Sequence, residues 1–120
     1  MRDKTIRVLT KMPGSMWRVQ HMDNTLEALQ AFVGGYIETV RLLQDVVVIC
    51  NEEGRLLGLP ENCNLLGYNF VGPVILAGTE GDEFADVPEN LIKNWKIVIA
   101  DLPENLIENW KLVIEGEVEE

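Results

Sequence analysis

Val46-Val47-Val48-Ile49-Cys50 is apolar at every position. A strand with one wet face alternates apolar and polar residues, so an unbroken run of this length marks a central strand covered on both sides. The rest of the fold is read outward from it. Upstream, Tyr36 to Leu43 is rich in β-branched residues, and Gln44-Asp45 turns it into the apolar run as a hairpin. Downstream, Asn51-Glu52-Glu53-Gly54 reads as a second hairpin turn, with glycine supplying the positive φ. Arg55 to Gly58 then reads as a short return strand and Pro60 to Tyr68 as a loop. Phe70 to Leu76 reads as one further strand, and Pro73, which has no N–H, requires an edge or a bulge there.

The N-terminal part predicts another hairpin. Thr5 to Lys11 alternates Ile6 and Val8 against Arg7 and Leu9, Pro13-Gly14 is a turn signal, and Met16 to Met22 alternates on the return. A helix follows from about Thr25 to Val33. Asn24 is read as its cap, with Glu27 bonding back to it. Leu26, Leu29, Phe32 and Val33 recur at helical spacing and face the sheet in this reading. Gly34-Gly35 stops the helix, because a left-handed residue past a helix end costs glycine little.

The C-terminal part is a tandem repeat. Residues 85–99 and 100–114 align without gaps and match at 12 of 15 positions, differing only at Val87/Leu102, Lys93/Glu108 and Ile97/Leu112. Each copy has an acid three residues before a glutamate, a proline in the first turn, one apolar helical face and a short β-branched run. It reads as a helix–strand unit. One copy completes the domain in this reading, and the other extends the sheet or docks on a neighbouring chain. The expected fold class is a small single-domain α+β protein: a mainly antiparallel sheet packed by one helix, with a duplicated C-terminal helix–strand unit. Residues 1–84 form the core, 85–114 the repeat, and 115–120 an acidic tail that frays.

Composition narrows the function. The chain has 120 residues and a formal net charge of −10, spread unevenly. Residues 1–20 carry five basic and one acidic side chain, whereas residues 80–120 carry three basic and twelve acidic. Such a surface repels nucleic acid, so direct nucleic-acid binding is not expected, and a phosphate is welcome only near the N-terminal hairpin. No stretch has the roughly 18 apolar residues of a membrane span, and no apolar leader is evident. A cytoplasmic protein without a membrane partner is expected. Cys50 and Cys63 read as reduced thiols. With His21 the only histidine and no Cys-x-x-Cys, no metal site and no cofactor are expected.

Gly34-Gly35-Tyr36-Ile37-Glu38, Ile49-Cys50-Asn51-Glu52-Glu53-Gly54, Gly58-Leu59-Pro60 with Asn62, and Gly72-Pro73-Val74 together resemble the signature of a family of phages, plasmids and bacteria catalogued as domain of unknown function 3846. The resemblance runs from about Thr5 to Phe84, and the tail duplication departs from it. It implies a small α+β protein of mobile elements, whose genes often sit among accessory and anti-defence functions. It implies a setting and supplies no chemistry.

The residues themselves offer little catalysis. Ser15 and His21 are the only serine and histidine, about 20 Å apart on an extended chain, so no triad forms. Glu52 and Glu53 are the best carboxylate pair, and they read more simply as a solvated hairpin tip. Thr79 to Glu83 has oxygen ligands without the spacing of a calcium loop. The chain is therefore expected not to be an enzyme.

Two binding readings remain. In the first, the protein sequesters a nucleotide-type immune signal: Arg7, Lys11, Arg18, Trp17 and Tyr36 grip it, Glu38 shares a strand face with Tyr36, and Asn51, Glu52 and Asn62 lie on loops that meet the end of that strand. In the second, an acidic surface built on Glu80, Asp82 and Glu83, with Trp95 and Trp110, inhibits a host defence or DNA-binding protein. A homo-oligomer through the duplicated tail fits either reading.

Overall fold

The computed structural model describes residues 4–89, 91 and 118–119. Its elements run β1 (Thr5–Lys11), β2 (Trp17–Asp23), α1 (Leu26–Val33), β3 (Ile37–Leu43), β4 (Val46–Asn51), β5 (Glu61–Leu65), β6 (Tyr68–Val71), β7 (Val74–Glu80), β8 (Glu83–Ala85) and β9 (Val118–Glu119). β4 is buried along its whole length, as its composition demands. It lies between β3 and β7, and the sheet continues through β1 and β2 to the short β9 in the order β3-β4-β7-β1-β2-β9. The pairs are antiparallel except that β9 runs parallel to β2, beside Trp17 and Arg18. Among the described residues the fold is thus a mainly antiparallel sheet packed by the helix α1.

Both faces of β4 are covered, by different means. Val47 and Ile49 meet Ile6, Val8, Ile75 and Ala77 on one face, roofed by Leu29 and Val33 of α1. Val46, Val48 and Cys50 meet Leu9, Trp17, Val74 and Leu76 on the other face, where Leu65 and Phe70 of the β5–β6 hairpin, with Val87 and Leu91, form the cover. The helix carries the chain from β2 to the far edge strand β3. Its N-cap is Thr25, whose hydroxyl accepts the Ala28 N–H, and its C-cap Gly34 has φ +81°. Asn24, expected as the cap, is buried instead and donates its amide to the Phe84 carbonyl at 3.1 Å. Leu26, expected to face the sheet, lies exposed on the outer side of the helix.

Three further readings are corrected. Pro60 to Tyr68 contains strand β5, whose Glu61-Asn62-Cys63-Asn64 lacks the apolar pattern because only Leu65 of this strand is fully buried. Asn51 to Gly58 forms no hairpin and no return strand. Successive turn bonds (Gly54 N–H to Asn51, Leu57 N–H to Glu53, Gly58 N–H to Arg55) wind it into a compact loop, since β7 already takes the place beside β4. Phe70 to Leu76 is two strands, broken at Gly72-Pro73, so the proline costs no ladder bond. Within the repeat, only residues 85–89 and 91 are described. The helix–strand reading of each copy lies otherwise outside the described residues, as do Trp95 and Trp110.

Candidate functional site

The loop between β4 and β5 is braced from below. Asn51 is buried, donates its amide to the Val33 carbonyl at 3.1 Å and accepts the Glu53 N–H at 2.8 Å. One side chain therefore ties the end of α1 to the start of the loop. A Cβ on Gly35 would stand 2.9 Å from the Asn51 amide nitrogen, so the double glycine after α1 serves this close approach as well as the helix end. The Glu52 N–H donates to the Tyr36 carbonyl at 2.9 Å, and the Leu59 N–H closes the loop on Gly54 at 3.0 Å.

Two depressions flank this loop. One is a cleft of about 220 Å³ between the loop, the edge of β3 and β6, lined by Glu38, Cys50, Glu52, Arg55, Tyr68 and Asn69. The second, of about 270 Å³, lies on the helix side and is lined by Gln30, Tyr36, Asn51, Glu53 and Leu57. The cleft presents two carboxylates, one guanidinium and the half-exposed ring of Tyr68, whose centroid is 6.3 Å from that of Phe70. Arg55 is positioned by its donation to the Asn69 carbonyl at 2.6 Å.

Burial pushes the Cys50 thiol up to about 11, helped by the Glu38 carboxylate. Burial pushes Cys63 up to about 12, against the pull of the Lys11 ammonium. Both are therefore thiols at neutral pH, and neither supplies a thiolate nucleophile. Among the described residues no three His, Cys, Asp or Glu side chains come together to hold a metal.

The residues singled out in the sequence separate into three places. Tyr36, Glu38, Asn51 and Glu52 gather around the loop. Arg7, Lys11, Trp17 and Arg18 lie on β1 and β2, across β4 and β7 from Glu38. They do not form one patch. Trp17 is fully buried, and Lys11, 8% exposed, donates its Nζ to the Asn62 carbonyl at 3.2 Å and to Asn62 Oδ1 at 3.0 Å. Asn62 returns its amide to the Lys11 and Gly72 carbonyls at 2.8 and 2.7 Å. This pair fastens the β5–β6 hairpin to the sheet. Arg7 pairs with Glu89 at 3.7 Å, and Arg18, opposite Thr10 in the ladder, points to the other face. Glu80, Asp82 and Glu83 form an exposed acidic turn between β7 and β8.

Arg55, Tyr68 and Asn69 were not anticipated. The signal for Tyr68 and Asn69 is Leu65-Leu66-Gly67-Tyr68. Leu66 and Gly67 both take positive φ, 51° and 87°, the two-residue hairpin turn that usually carries Asn-Gly. Asn64 supports it by accepting the Gly67 N–H at 3.1 Å.

Comparison with known families finds one model, described as a domain of unknown function (DUF3846), that matches residues 6–100. No curated protein and no solved structure matches the chain.

Proposed function

We propose, from the premise that this chain belongs to the DUF3846 family, that it acts by binding rather than catalysis and holds a nucleotide-type small molecule in the cleft between the braced loop and β6. One observation carries this reading: the cleft combines a half-exposed aromatic ring with carboxylate acceptors and a fixed guanidinium. A nucleobase offers a π-face for Tyr68, and such stacking contributes about 1–3 kcal/mol per base. Its ring N–H and exocyclic amine donate to carboxylates such as Glu38 and Glu52. Arg55 supplies the charge that a phosphate requires. Two acids beside one base favour a ligand read mainly through its base and carrying few phosphates. The phage and plasmid setting implied by the family resemblance supports sequestration of a host immune signal, in the cytosol, as the purpose of such binding.

Thermal unfolding with a panel of purine and pyrimidine mononucleotides and cyclic dinucleotides tests it. Ligand at about 100 times its Kd adds about 2.7 kcal/mol of stability, which raises Tm by several degrees. The rise should vanish in Tyr68→Ala and weaken in Glu52→Gln. A panel that leaves Tm unchanged would overturn the reading.

A second reading rests on its own observation. Leu56 is 86% and Leu57 60% exposed beside Glu52 and Glu53, on the loop braced by Asn51. An acidic-rimmed apolar knob suits contact with a basic host protein, with Glu80, Asp82 and Glu83 as a further acidic contact. Binding of that kind falls steeply with salt and ignores nucleotides. No described helix is long and apolar enough to cross a membrane.

A further inference from the structure

β1 and β7 pair only through Leu9, Thr10 and Lys11. Before Leu9 the two strands part, and the segment after β7 enters beside β1. β8 pairs with Gly78, Thr79 and Glu80 of β7. Next, the Asp86 carboxylate accepts the Arg7 N–H at 2.7 Å, and the Val87 N–H donates to the Arg7 carbonyl at 2.8 Å. Val87 and Leu91, each 3% exposed, then enter the core beside Trp17 and Leu76. The approach is so close that a Cβ on Gly78 would stand 2.0 Å from the Asp86 carbonyl oxygen, so only glycine fits there. The sheet thus carries a slot, and its occupant has the pattern Ala-Asp-apolar-Pro-Glu-Asn-Leu.

That pattern occurs twice, as residues 85–91 and as residues 100–106, with Val87 replaced by Leu102 as the only change. The family match spans residues 6–100, so it takes in the first copy and only the first residue of the second. We infer that the slot is a docking surface for residues 98–106 as well as for residues 83–91, so that the chain has two registers one repeat apart.

The chemistry of the contacts supports the exchange. Asp101 offers the same carboxylate to the Arg7 amide, and the bond to the Arg7 carbonyl needs only backbone. In the observed ladder Glu80 stands opposite Glu83, and like charges in that position oppose pairing. The shifted register replaces Glu83 with Val98, which suits a strand better, and puts Ile99 in place of Phe84, which packs against the helix-side core. Leu102 in the Val87 position works the other way, since an added methylene overfills a close-packed site. These terms oppose one another, so neither register is favoured by all of them. Replacing the tight Gly81-Asp82 turn by a loop one repeat longer works against the shifted register, though only logarithmically with length.

The test uses the full chain, thermal unfolding and hydrogen exchange at the Arg7 amide. Three variants are compared: Asp86→Ala with Val87→Asp, Asp101→Ala with Leu102→Asp, and all four together. The second should match the parent. The first should unfold cooperatively, keep the Arg7 amide protected, and lose less Tm than the fourfold variant, because the second copy takes the slot. Equal losses in the first and the fourfold variants would overturn the inference. The milder Val87→Ala guards against a general folding failure. Its Tm loss should grow when Leu102→Asp is added, and simple additivity would count against a shared slot. A rescue seen only in a dimer by light scattering would overturn the intramolecular form.

Discussion

The two covers of the sheet are built on different physics. α1 closes its face with Leu29 and Val33 against Val47, Ile49 and Ile75, a contact that is almost wholly apolar. The β5–β6 hairpin closes the other face with only Leu65 and Phe70 buried, and is fastened by four polar bonds between Lys11, Asn62 and Gly72. Apolar contact is non-directional and tolerates adjustment, whereas a buried ammonium must have its acceptors in place. The helical cover therefore supplies stability, and the polar fastening supplies position. The candidate cleft lies under the positioned cover, where fixed geometry serves recognition.

Breaking the apolar cover should cost most. Ile49→Ala empties a fully buried site in the helix-side core, and a loss of about 2–5 kcal/mol is expected in urea unfolding. Breaking the polar fastening comes next. Asn62→Ala removes both side-chain bonds to Lys11 and leaves the Lys11 and Gly72 carbonyls without their donor. A loss of about 1–3 kcal/mol is expected, together with slack in the cleft that a Tyr68 fluorescence change would report. If Asn62→Ala cost as much as Ile49→Ala, the contrast between the two covers would fail. Thr25→Ala removes the α1 cap and should cost about 1 kcal/mol, with Asn24→Asp offering no substitute because Asn24 points to Phe84.

The thiols sharpen the same contrast through pH. Cys50 and Cys63 lie on the hairpin-covered face, and burial raises both above the ordinary thiol value of 9.0. The unfolded chain loses these protons first, so their contribution to stability is complete below pH 9 and is lost as pH rises toward about 11 for Cys50 and about 12 for Cys63. Urea unfolding at pH 8 and pH 10 should show a fall that Cys63→Ala reduces. Labelling of the native protein by a disulfide reagent at pH 8 should be slow. Fast labelling would place the hairpin in an open state.

These contrasts also explain what could be read in advance. The β1–β2 and β3–β4 hairpins, the central strand, and the helix with its glycine stop were legible, because each follows from apolar periodicity or a local backbone preference. Asn24 was misassigned because the two neighbouring residues Asn24 and Thr25 are both good caps, and only the Phe84 carbonyl decides between them. The loop at Asn51 to Gly58 was misread because a glycine-bearing polar turn looks the same whether the next strand returns or the chain departs. Of the residues around the loop, Tyr36, Glu38, Asn51 and Glu52 stand out in the sequence by their place beside the double glycine and the turn, whereas Tyr68 and Asn69 come to the cleft with a hairpin that lacks an apolar pattern, and Arg55 comes with the loop's winding.

Local composition was enough to specify which segments are buried, where the helix stops and that a repeat is present, since those depend on short-range sterics and on removing apolar surface from water. Which strand lies beside β4, which amide fastens Lys11, and which acids share a cleft with Tyr68 were set by long-range docking. Directional polar bonds between residues far apart in the chain leave no periodic mark, so folding alone brings them into view.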